Sequence, residues 1–301
     1  MVSHSHLGTS YDTPTSDWLS VITPTPPQPG RHGAVLRVDR DHPFFFDHPL
    51  DHVPGMLLVT GLLDLVRART GVSRWTRGDH RIRLSLKFMR MCELGSGVLL
   101  LAEPGSGGDD GEWAVKVVQD DSTVCSGTVE LVEEREQAAQ PCDSERGDPV
   151  TPAPPDLVHR ADPQNVVVGE PVISPEAYEA STVSPPSGHF LLRHGDERYG
   201  IEEMIESGRQ LVTVASHLAH ERPRDVMMLW LELRADLPVG VRRSVPLGLH
   251  WPVRPARGNF GSFDLTVVAR ATGLPLGSLS YESKCLAPAA YRRLRGKEPR
   301  A

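Results

Sequence analysis

The sequence predicts an α+β protein built from two similar halves, each an antiparallel sheet wrapped around one long helix. In each half, one or two strand-like runs come first, a single long helical run follows, and three or four strand-like runs complete the half. An acidic, Pro-rich stretch at 133–156 separates the halves and has the composition of a domain linker. A chain of 301 residues is long enough for two domains of ordinary size.

The first half is assigned to 31–132, after a stretch at 1–30 that is rich in Ser, Thr and Pro and is predicted to be a flexible tail. Its helix should run from about Pro54 to Arg69. Pro54 suits the first turn because it has no N–H to leave unpaired there. The apolar residues that follow leave almost no polar side, which indicates a helix buried nearly all round. The expected strands lie in GAVLRV, RIRLSLKFM, GVLLLAE, WAVKVVQ and STVCSGTVELV.

The second half is assigned to 157–296, with a short tail at 297–301. Its helix lies in YGIEEMIESGRQLVTVASHLAH. Strands are expected before the helix in NVVVGEPVI and HFLLRH, and after it in DVMMLWLELRADL, SVPLGLHW, FDLTVVARA and PLGSLSYESKCL. This order of elements repeats that of the first half, and the same architecture is therefore predicted twice.

Composition and charge exclude several classes of protein. The net charge of −7 argues against nucleic acid as a main partner, because phosphate binding needs a concentrated basic face. No run of about 18 apolar residues occurs, so no membrane span is expected. The N-terminus lacks the basic flank and apolar core of a signal peptide, and none of the four cysteines forms a CxxC pair. We therefore expect a cytoplasmic protein with no metal site and no cofactor.

The stretch FFFDHPLDHVPGM before the first helix is one candidate site. Backbone N–H groups of Gly55 and Met56 should point out of the helix N-terminus, where they can polarise the carbonyl of an ester or thioester. His48 and His52 lie just outside, and histidine is the side chain best suited to donate or accept protons near neutral pH. The alternative is structural, with Asp51 capping the helix and the Asp–His pair before it satisfied within a tight turn.

A second candidate lies on the second helix, where Glu206 and Arg209 are three residues apart and share a face with Gln210. On an ordinary helix these residues form a solvated stripe. On a helix wrapped by a sheet the same pair is partly buried, which is costly unless the pair serves a function or is fully hydrogen-bonded. His159 and Arg160, in VHR after the linker, form a third candidate, for which ordinary loop residues are the alternative.

The stretch FFDHPLDHVPGMLL resembles the signature of the A-factor synthase (AfsA) family, whose members carry two hotdog repeats. More distantly, it is similar to the helix-entrance motif of hotdog acyl-carrier-protein dehydratases. VHR, GIEEMIESGRQLVTVASHLAH and PAAYRRLRG in the second half are also similar to stretches of the family. The resemblance covers about 31–296. It implies two hotdog repeats paired as a pseudo-dimer within one chain, in swapped order relative to the family.

The resemblance implies an acyltransferase. Members of the family join a β-ketoacyl chain, delivered on an acyl carrier protein, to a hydroxyl of dihydroxyacetone phosphate, on the way to γ-butyrolactone signals. The helices of the family resemble Glu-x-x-Arg-Gln, which here is ESGRQ, with Glu206, Arg209 and Gln210. The first helix departs from this pattern, since Thr60 and Leu63 stand at the Glu and Arg positions.

These expectations combine in one composite site between the repeats. The N-terminus of the first helix would polarise the thioester, with His48 or His52 beside it. From the second repeat, Glu206 would act as general base on the acceptor hydroxyl, and Arg209 would hold a phosphate or the developing oxyanion. The residues expected to bind substrate are Gly55, Met56, Gln210, His159 and Arg160.

Two other functions stay open at this point. A His–carboxylate pair at a hotdog helix also suits a dehydratase, an isomerase or a thioesterase acting on an acyl-carrier-protein thioester, and these reactions need no Arg for phosphate. A pair of hotdog repeats that has lost catalytic residues could instead bind an acyl chain or a carrier protein without converting it. The loss of Glu and Arg from the first helix favours this last function weakly.

Overall fold

The computed structural model describes residues 20–26, 31–105, 111–134 and 149–296. Within them, twelve strands form one continuous sheet in which every pairing is antiparallel. The helices are α1 (Gly55–Thr70), α2 (Ile201–Leu218) and the short α3 (Pro288–Leu294). The strands are β1 (Ile22–Pro24), β2 (His32–Leu36), β3 (His80–Phe88), β4 (Leu99–Pro104), β5 (Glu112–Gln119), β6 (Ser122–Glu133), β7 (Val172–Ile173), β8 (Ala177–Ser181), β9 (Met227–Pro238), β10 (Leu247–Pro252), β11 (Phe260–Ala269) and β12 (Leu274–Leu286). The predicted α+β class, with one long helix and an antiparallel sheet in each half, is confirmed.

The first half is built around α1, and its strands follow the order β1-β2-β4-β5-β6-β3. The helix begins and ends within one residue of the predicted positions, and all residues from Met56 to Leu63 are buried. Gly61 lies where a Cβ atom would come within 2.6 Å of Leu36 and 2.8 Å of Leu100. The absent side chain thus allows α1 to lie close against β2 and β4, with its apolar residues in the core.

Part of the predicted N-terminal tail belongs to the sheet. Ile22–Pro24 forms β1, which pairs with β2, and Val21 beside it is buried. A strand of three residues, Ile-Thr-Pro, is too short to show an alternating pattern, which is why the sequence did not predict it. The rest of the predicted tail, most of the predicted linker and the tail at 297–301 lie outside the described residues, and those boundaries stay predictions.

The second half follows the predicted order with two corrections before α2. HFLLRH is not a strand, because Phe190–Leu192 forms a turn of 3₁₀ helix. Both Phe190 and Leu191 are buried, whereas a strand would send them to opposite faces. In NVVVGEPVI only Val172–Ile173 is a strand, and an unpredicted strand, Ala177–Ser181, joins it to the sheet.

The two halves join at the centre of the sheet through β3 and β9. These strands pair from Arg81↔Pro238 to Lys87↔Glu232, with six strands on each side of the join. Arg81 strengthens the join by donating to the Asp236 carboxylate at 2.7 Å. This arrangement is the predicted side-by-side pairing of two repeats within one chain.

The described residues also bear on two expectations from composition. Cys92, Cys125 and Cys285 are free thiols and all are buried. Burial raises the pKa of Cys92 and of Cys125 to about 12, so neither thiol is a ready nucleophile. No helix in the described part of the chain is long and apolar enough to cross a membrane.

Candidate functional site

A cavity of about 850 Å³ lies between the two halves at the N-terminus of α1. The loop that leads into α1, residues 44–54 and called here the entrance loop, forms one wall. The chain leaving β3, the start of β9, one face of α2 and the end of α3 form the others. A space of this size and shape suits an organic ligand of substrate size.

Seven of the nine residues singled out from the sequence line this cavity. They are His48, His52, Gly55, Met56, His159, Arg160 and Arg209. The other two, Glu206 and Gln210, are fully buried next to it. Thr60 and Leu63, which depart from the family pattern, are fully buried in the core and lie outside the cavity wall. Side chains from both repeats therefore meet at one place.

Asp47 and His48 form the first of two Asp–His pairs in the entrance loop. His48 Nδ1 lies 2.6 Å from Asp47 Oδ1. Because an ionised carboxylate only accepts, Nδ1 carries the proton, and neutral His48 keeps a free lone pair on Nε2. Asn165 donates to the other oxygen of Asp47 at 3.0 Å. Burial by itself would raise the pKa of Asp47, but the His48 hydrogen bond and the charge of Arg160 hold it at about 2, so the carboxylate stays ionised.

Asp51 and His52 form the second pair, which is tied to the C-terminal helix. His52 Nδ1 lies 3.1 Å from Asp51 Oδ1, and Tyr291 of α3 donates to the same oxygen at 2.5 Å. Arg295 donates to Asp51 Oδ2 at 3.3 Å and also binds both oxygens of Glu93. Asp51 therefore does not cap α1, which was the structural alternative, and instead anchors α3 beside the cavity.

The N-terminus of α1 opens on the cavity without a side-chain cap. Its first turn is closed by hydrogen bonds to the Pro54 carbonyl from the residues that follow Met56. Helix geometry leaves the N–H groups of Gly55 and Met56 for another acceptor, with the positive end of the helix dipole behind them. A Cβ atom on Gly55 would lie 3.0 Å from the Trp230 ring, so glycine allows this indole to pack against the start of the helix.

Glu206 is the centre of a buried ion cluster. Its carboxylate is fully buried and accepts five hydrogen bonds of 2.7–3.2 Å from Arg160, Arg209 and Gln210. Arg160 also donates to the Phe44 carbonyl at 2.6 Å, and its guanidinium lies 4.6 Å from the centre of that residue's ring. The expectation that a helix wrapped by a sheet buries this pair is confirmed, and the solvated stripe is wrong.

This cluster makes Glu206 a weak base and leaves Arg209 able to meet an anion. Burial alone would raise the pKa of Glu206, but the charges of Arg160 and Arg209 lower it to about 2. Arg209 uses Nε and Nη2 to bind Glu206 and the Val158 carbonyl. None of the hydrogen bonds in the described ranges uses Nη1 of Arg209, and this side chain lines the cavity.

His159 belongs to a partly buried imidazole pair on the cavity wall. Its Nε2 lies 2.9 Å from Nε2 of His217, whose Nδ1 lies 2.8 Å from the Arg222 carbonyl. Because a carbonyl only accepts, neutral His217 donates to it from Nδ1. Burial, with His217 and Arg209 nearby, lowers the pKa of His159 to about 4. His159 is therefore a neutral polar group near pH 7.

A second ion cluster links the start of α2 to α1. Glu202 pairs with Arg67 at 3.0 Å and with Arg193 at 2.6 Å. Asp64 pairs with Arg193 at 3.1 Å and lies 3.5 Å from His194. The spacing of Asp64, His194 and Glu202 resembles that of metal ligands, and guanidinium groups bind both oxygens of Glu202 and Oδ1 of Asp64. The cluster therefore links the two repeats through ion pairs.

Several residues that complete the site were not predicted from the sequence. They are Asn165, His217, Trp230, Tyr291 and Arg295. The repeated Asp-His of DHPLDH was the available signal for the two Asp–His pairs. The stretch PAAYRRLRG contains Tyr291 and Arg295, which hold the C-terminal helix beside the cavity. Their partners lie far away in the chain, so no local spacing could identify them.

Comparison with known proteins places this chain in a family. The sequence matches the model of the A-factor biosynthesis hotdog domain over residues 16–132 and 142–285. A 2-oxo-3-(phosphooxy)propyl 3-oxoalkanoate synthase from Streptomyces virginiae is 39% identical over 93 residues, and one from Streptomyces griseus is 37% identical over 100 residues. These matches span 30% and 32% of this chain, and the same shares of the two relatives.

Solved structures share the fold. The dehydratase domain of RzxB from Pseudomonas fluorescens superposes with a TM-score of 0.61 at 12% identity, covering 87% of this chain and 96% of that domain. The dehydratase domain of PpsC from Mycobacterium tuberculosis superposes with a TM-score of 0.59 at 15% identity, covering 91% of this chain and 99% of that domain. At such identities the likeness concerns the fold alone, a pair of hotdog repeats in one chain.

Proposed function

The chain belongs to the A-factor biosynthesis hotdog family, and from this premise we propose that it is an acyltransferase. It joins a β-ketoacyl chain, carried as a thioester on an acyl carrier protein, to a hydroxyl of a phosphorylated three-carbon acceptor such as dihydroxyacetone phosphate. The name shared by the two relatives describes an ester of this kind. The cytoplasm, where such carriers work, is the proposed compartment. The observation that carries the proposal is the single cavity where an uncapped helix N-terminus, Asp–His pairs and Arg209 meet.

His48 is the general base in this proposal. Transfer of an acyl group to an alcohol requires a group that takes the hydroxyl proton as the oxygen attacks. His48 lines the cavity, and its Nδ1 is bound to Asp47, which leaves Nε2 to accept that proton. The ionised Asp47 stabilises the imidazolium that forms, as a carboxylate does behind the histidine of a catalytic triad.

Glu206 is assigned a positioning role instead of the base role expected from the sequence. Its five hydrogen bonds engage the carboxylate from several sides, and it lies off the cavity wall. A carboxylate with a pKa of about 2 holds a proton poorly near neutral pH. Its charge instead keeps Arg160 and Arg209 extended along the wall of the cavity.

The N-terminus of α1 supports the acyl group in the proposed reaction. The acceptor oxygen attacks the thioester carbon, and negative charge develops on the carbonyl oxygen. The N–H groups of Gly55 and Met56 and the helix dipole stabilise that charge. The carbon–sulfur bond then breaks, and the departing thiolate takes the proton held by His48. The products are the ester and the free thiol of the carrier.

Arg209 binds the phosphate of the acceptor in this proposal. It offers Nη1 while Glu206 fixes its other nitrogens. Arg224 also lines the cavity, is half exposed and lies 3.7 Å from Asp156. Two guanidinium groups can hold a phosphate through several charge-assisted hydrogen bonds.

The decisive experiment is incubation with a β-ketoacyl carrier protein, with and without dihydroxyacetone phosphate, followed by product mass. We expect the mass of the acyl ester only when the acceptor is present, with release of the free carrier thiol. Parallel incubations with β-hydroxyacyl and enoyl carrier proteins test the alternatives. Loss of water from the β-hydroxyacyl carrier would instead identify a dehydratase, and an unchanged mass with a shifted double bond in the enoyl carrier an isomerase. Free acid formed without the acceptor would identify a thioesterase. Tight acyl binding with no product would identify a non-catalytic protein.

A further inference from the structure

The central seam of the sheet opens at one end, and the cavity extends into the opening. Pairing between β3 and β9 stops at Lys87↔Glu232. Beyond this point β9 stays with β12 as far as Leu286↔Met227, while the chain leaving β3 stays with β6, where Met89 N–H donates to the Val124 carbonyl at 2.8 Å. Residues 88–91 and 227–231, which diverge here, are called the seam fork.

Burial along β9 shows that the seam fork is accessible. From Leu233 onward, buried residues alternate with more exposed ones, as they do in a strand that has neighbours on both sides. From Met227 to Glu232 every residue is half-buried and no alternation remains. All five residues of the fork on β9 line the cavity. The first part of β9 is therefore an open edge near the middle of the sheet.

The lining of the seam fork is rich in methionine. The chain has seven methionines, and five of them line the cavity. These five are Met56, Met89, Met91, Met227 and Met228, of which all but Met56 belong to the seam fork. Methionine is unbranched and adaptable, and it is common on apolar surfaces that accept ligands of varied shape. Phe88, Leu229, Trp230 and Leu231 complete the apolar lining.

The seam fork leads to the reacting end of the cavity. Trp230 lies within the fork and packs against Gly55, at the helix N-terminus that receives the thioester carbonyl. A chain attached to that carbonyl therefore has an apolar path along Trp230 into the fork. Met91 and Met228 lie on opposite branches of the seam fork and both line the cavity, and the Met91 sulfur also contacts Arg295 at 3.4 Å.

We propose that the seam fork is the binding site for the acyl chain, and that Met91 and Met228 determine which chains fit. This inference rests on the proposed function, since it assumes an acyl thioester at the N-terminus of α1. The ligand class is a flexible, apolar acyl chain, linear or methyl-branched. Because methionine adapts to shape, the fork accepts both forms and limits mainly the length of the chain.

The test compares a series of linear and branched 3-oxoacyl thioesters of increasing length in the full-length protein. Met228→Trp fills the fork, and kcat/KM for the longest chains should fall by about tenfold or more while the shortest chain changes little, because pockets discriminate about tenfold or more per methylene. Met228→Ala and Met91→Ala should shift the preference towards longer or more branched chains. Met204→Leu, in the core of α2 and away from the cavity, is the matched control.

A binding measurement separates failure of this inference from failure of the proposed function. Non-reactive thioether analogues of the same chains are titrated while tryptophan fluorescence is recorded, with Trp230→Phe identifying the signal of that ring. A Met228 variant that changes the length dependence of analogue binding supports the inference even if no acyl transfer occurs. Acyl transfer with the same chain-length profile in all three methionine variants, each shown to be folded by thermal melting, overturns it.

Discussion

At the residue scale, the two Asp–His pairs of DHPLDH are alike in sequence and differ in their surroundings. The Asp47 side chain is 1% exposed, and it serves His48 with support from Asn165. The Asp51 side chain is 32% exposed and is shared with Tyr291 and other groups of the C-terminal segment. A carboxylate buried away from water interacts more strongly with an imidazolium than an exposed carboxylate does. The two histidines should therefore contribute unequally.

We predict that His48→Ala lowers kcat by about 100-fold or more, which is typical for loss of a general base. His52→Ala should lower it by less than about tenfold, because Asp51 mainly holds α3. Steady-state kinetics of the two variants, with melting curves as a check on folding, make the comparison. Equal losses in both variants would show that the pairs share the role, and a larger loss in His52→Ala would reverse the assignment.

The role of Glu206 can be tested by removing its charge while keeping its shape. In Glu206→Gln, Arg160 and Arg209 lose their counter-charge, and breaking a buried pair of this kind costs about 3–5 kcal/mol of stability. We expect KM for the phosphorylated acceptor to rise, while the acidic limb of the pH–rate profile, which reports the base, stays in place. If that limb disappears, Glu206 is itself the base. Glu206→Asp serves as a second variant if the Gln form does not fold.

At the element scale, α2 lies close to the sheet because of one glycine. A Cβ atom on Gly208 would come within 2.6 Å of both the Leu279 side chain and the Tyr281 hydroxyl. That hydroxyl donates to the Ile205 carbonyl at 2.6 Å, so the contact includes a hydrogen bond to the helix backbone. Glu206 lies between Ile205 and Gly208 on the helix. The distance between α2 and the sheet therefore determines the position of the ion cluster around Glu206.

We predict that Gly208→Val destabilises the fold by about 1–3 kcal/mol, the usual cost of overpacking a core. It should also weaken binding of the phosphorylated acceptor, because the helix that carries Arg209 moves away from the sheet. Gly97→Ala is the control, since a Cβ atom there meets nothing within 4 Å. Urea unfolding of both variants checks this, and a Gly208→Val protein as stable as the control would contradict it.

At the scale of the whole molecule, buried titratable groups make the fold sensitive to acid in two ranges of pH. Burial lowers the pKa of His159 and of His189 from 6.5 to about 4 in the folded state. As the pH falls below 6.5, these two histidines become protonated in the unfolded chain while they are still neutral in the folded protein. Their contribution to the stability of the fold is therefore complete above pH 6.5 and is lost as the pH falls towards 4. The pKa of Glu206 falls from 4.5 to about 2 in the folded state. The contribution of Glu206 to the stability of the fold is therefore complete above pH 4.5 and is lost as the pH falls towards 2.

We predict that the free energy of unfolding falls between pH 7 and about pH 5, by at most about 2 kcal/mol for each of these two histidines. In His189→Gln the fall should be smaller, because Gln does not titrate and keeps a donor for Asn165. Urea unfolding of both proteins at the two pH values measures the difference. An identical fall in the two proteins would show that His189 does not contribute.

Much of the fold could be predicted because it depends on local patterns. The apolar run of α1, the alternation in RIRLSLKFM and the repeated order of elements each reflect a period visible within a few residues. The failures occurred where that period is absent. Ile22–Pro24 is too short to alternate, and Phe190–Leu192 turns so that neighbouring apolar residues enter the same core. The swapped order of the repeats relative to the family stays a prediction.

The sequence by itself determined the two repeats, the burial of α1 and the candidate site residues at DHPLDH, VHR and ESGRQ. Only the tertiary structure decided what those residues can do. Glu206 is a weak base because Arg160, 46 positions away, shares its carboxylate, and Asp47 is held by Asn165, 118 positions away. Acidity and access depend on burial and on neighbouring charges, and the fold brings those neighbours together from distant parts of the chain.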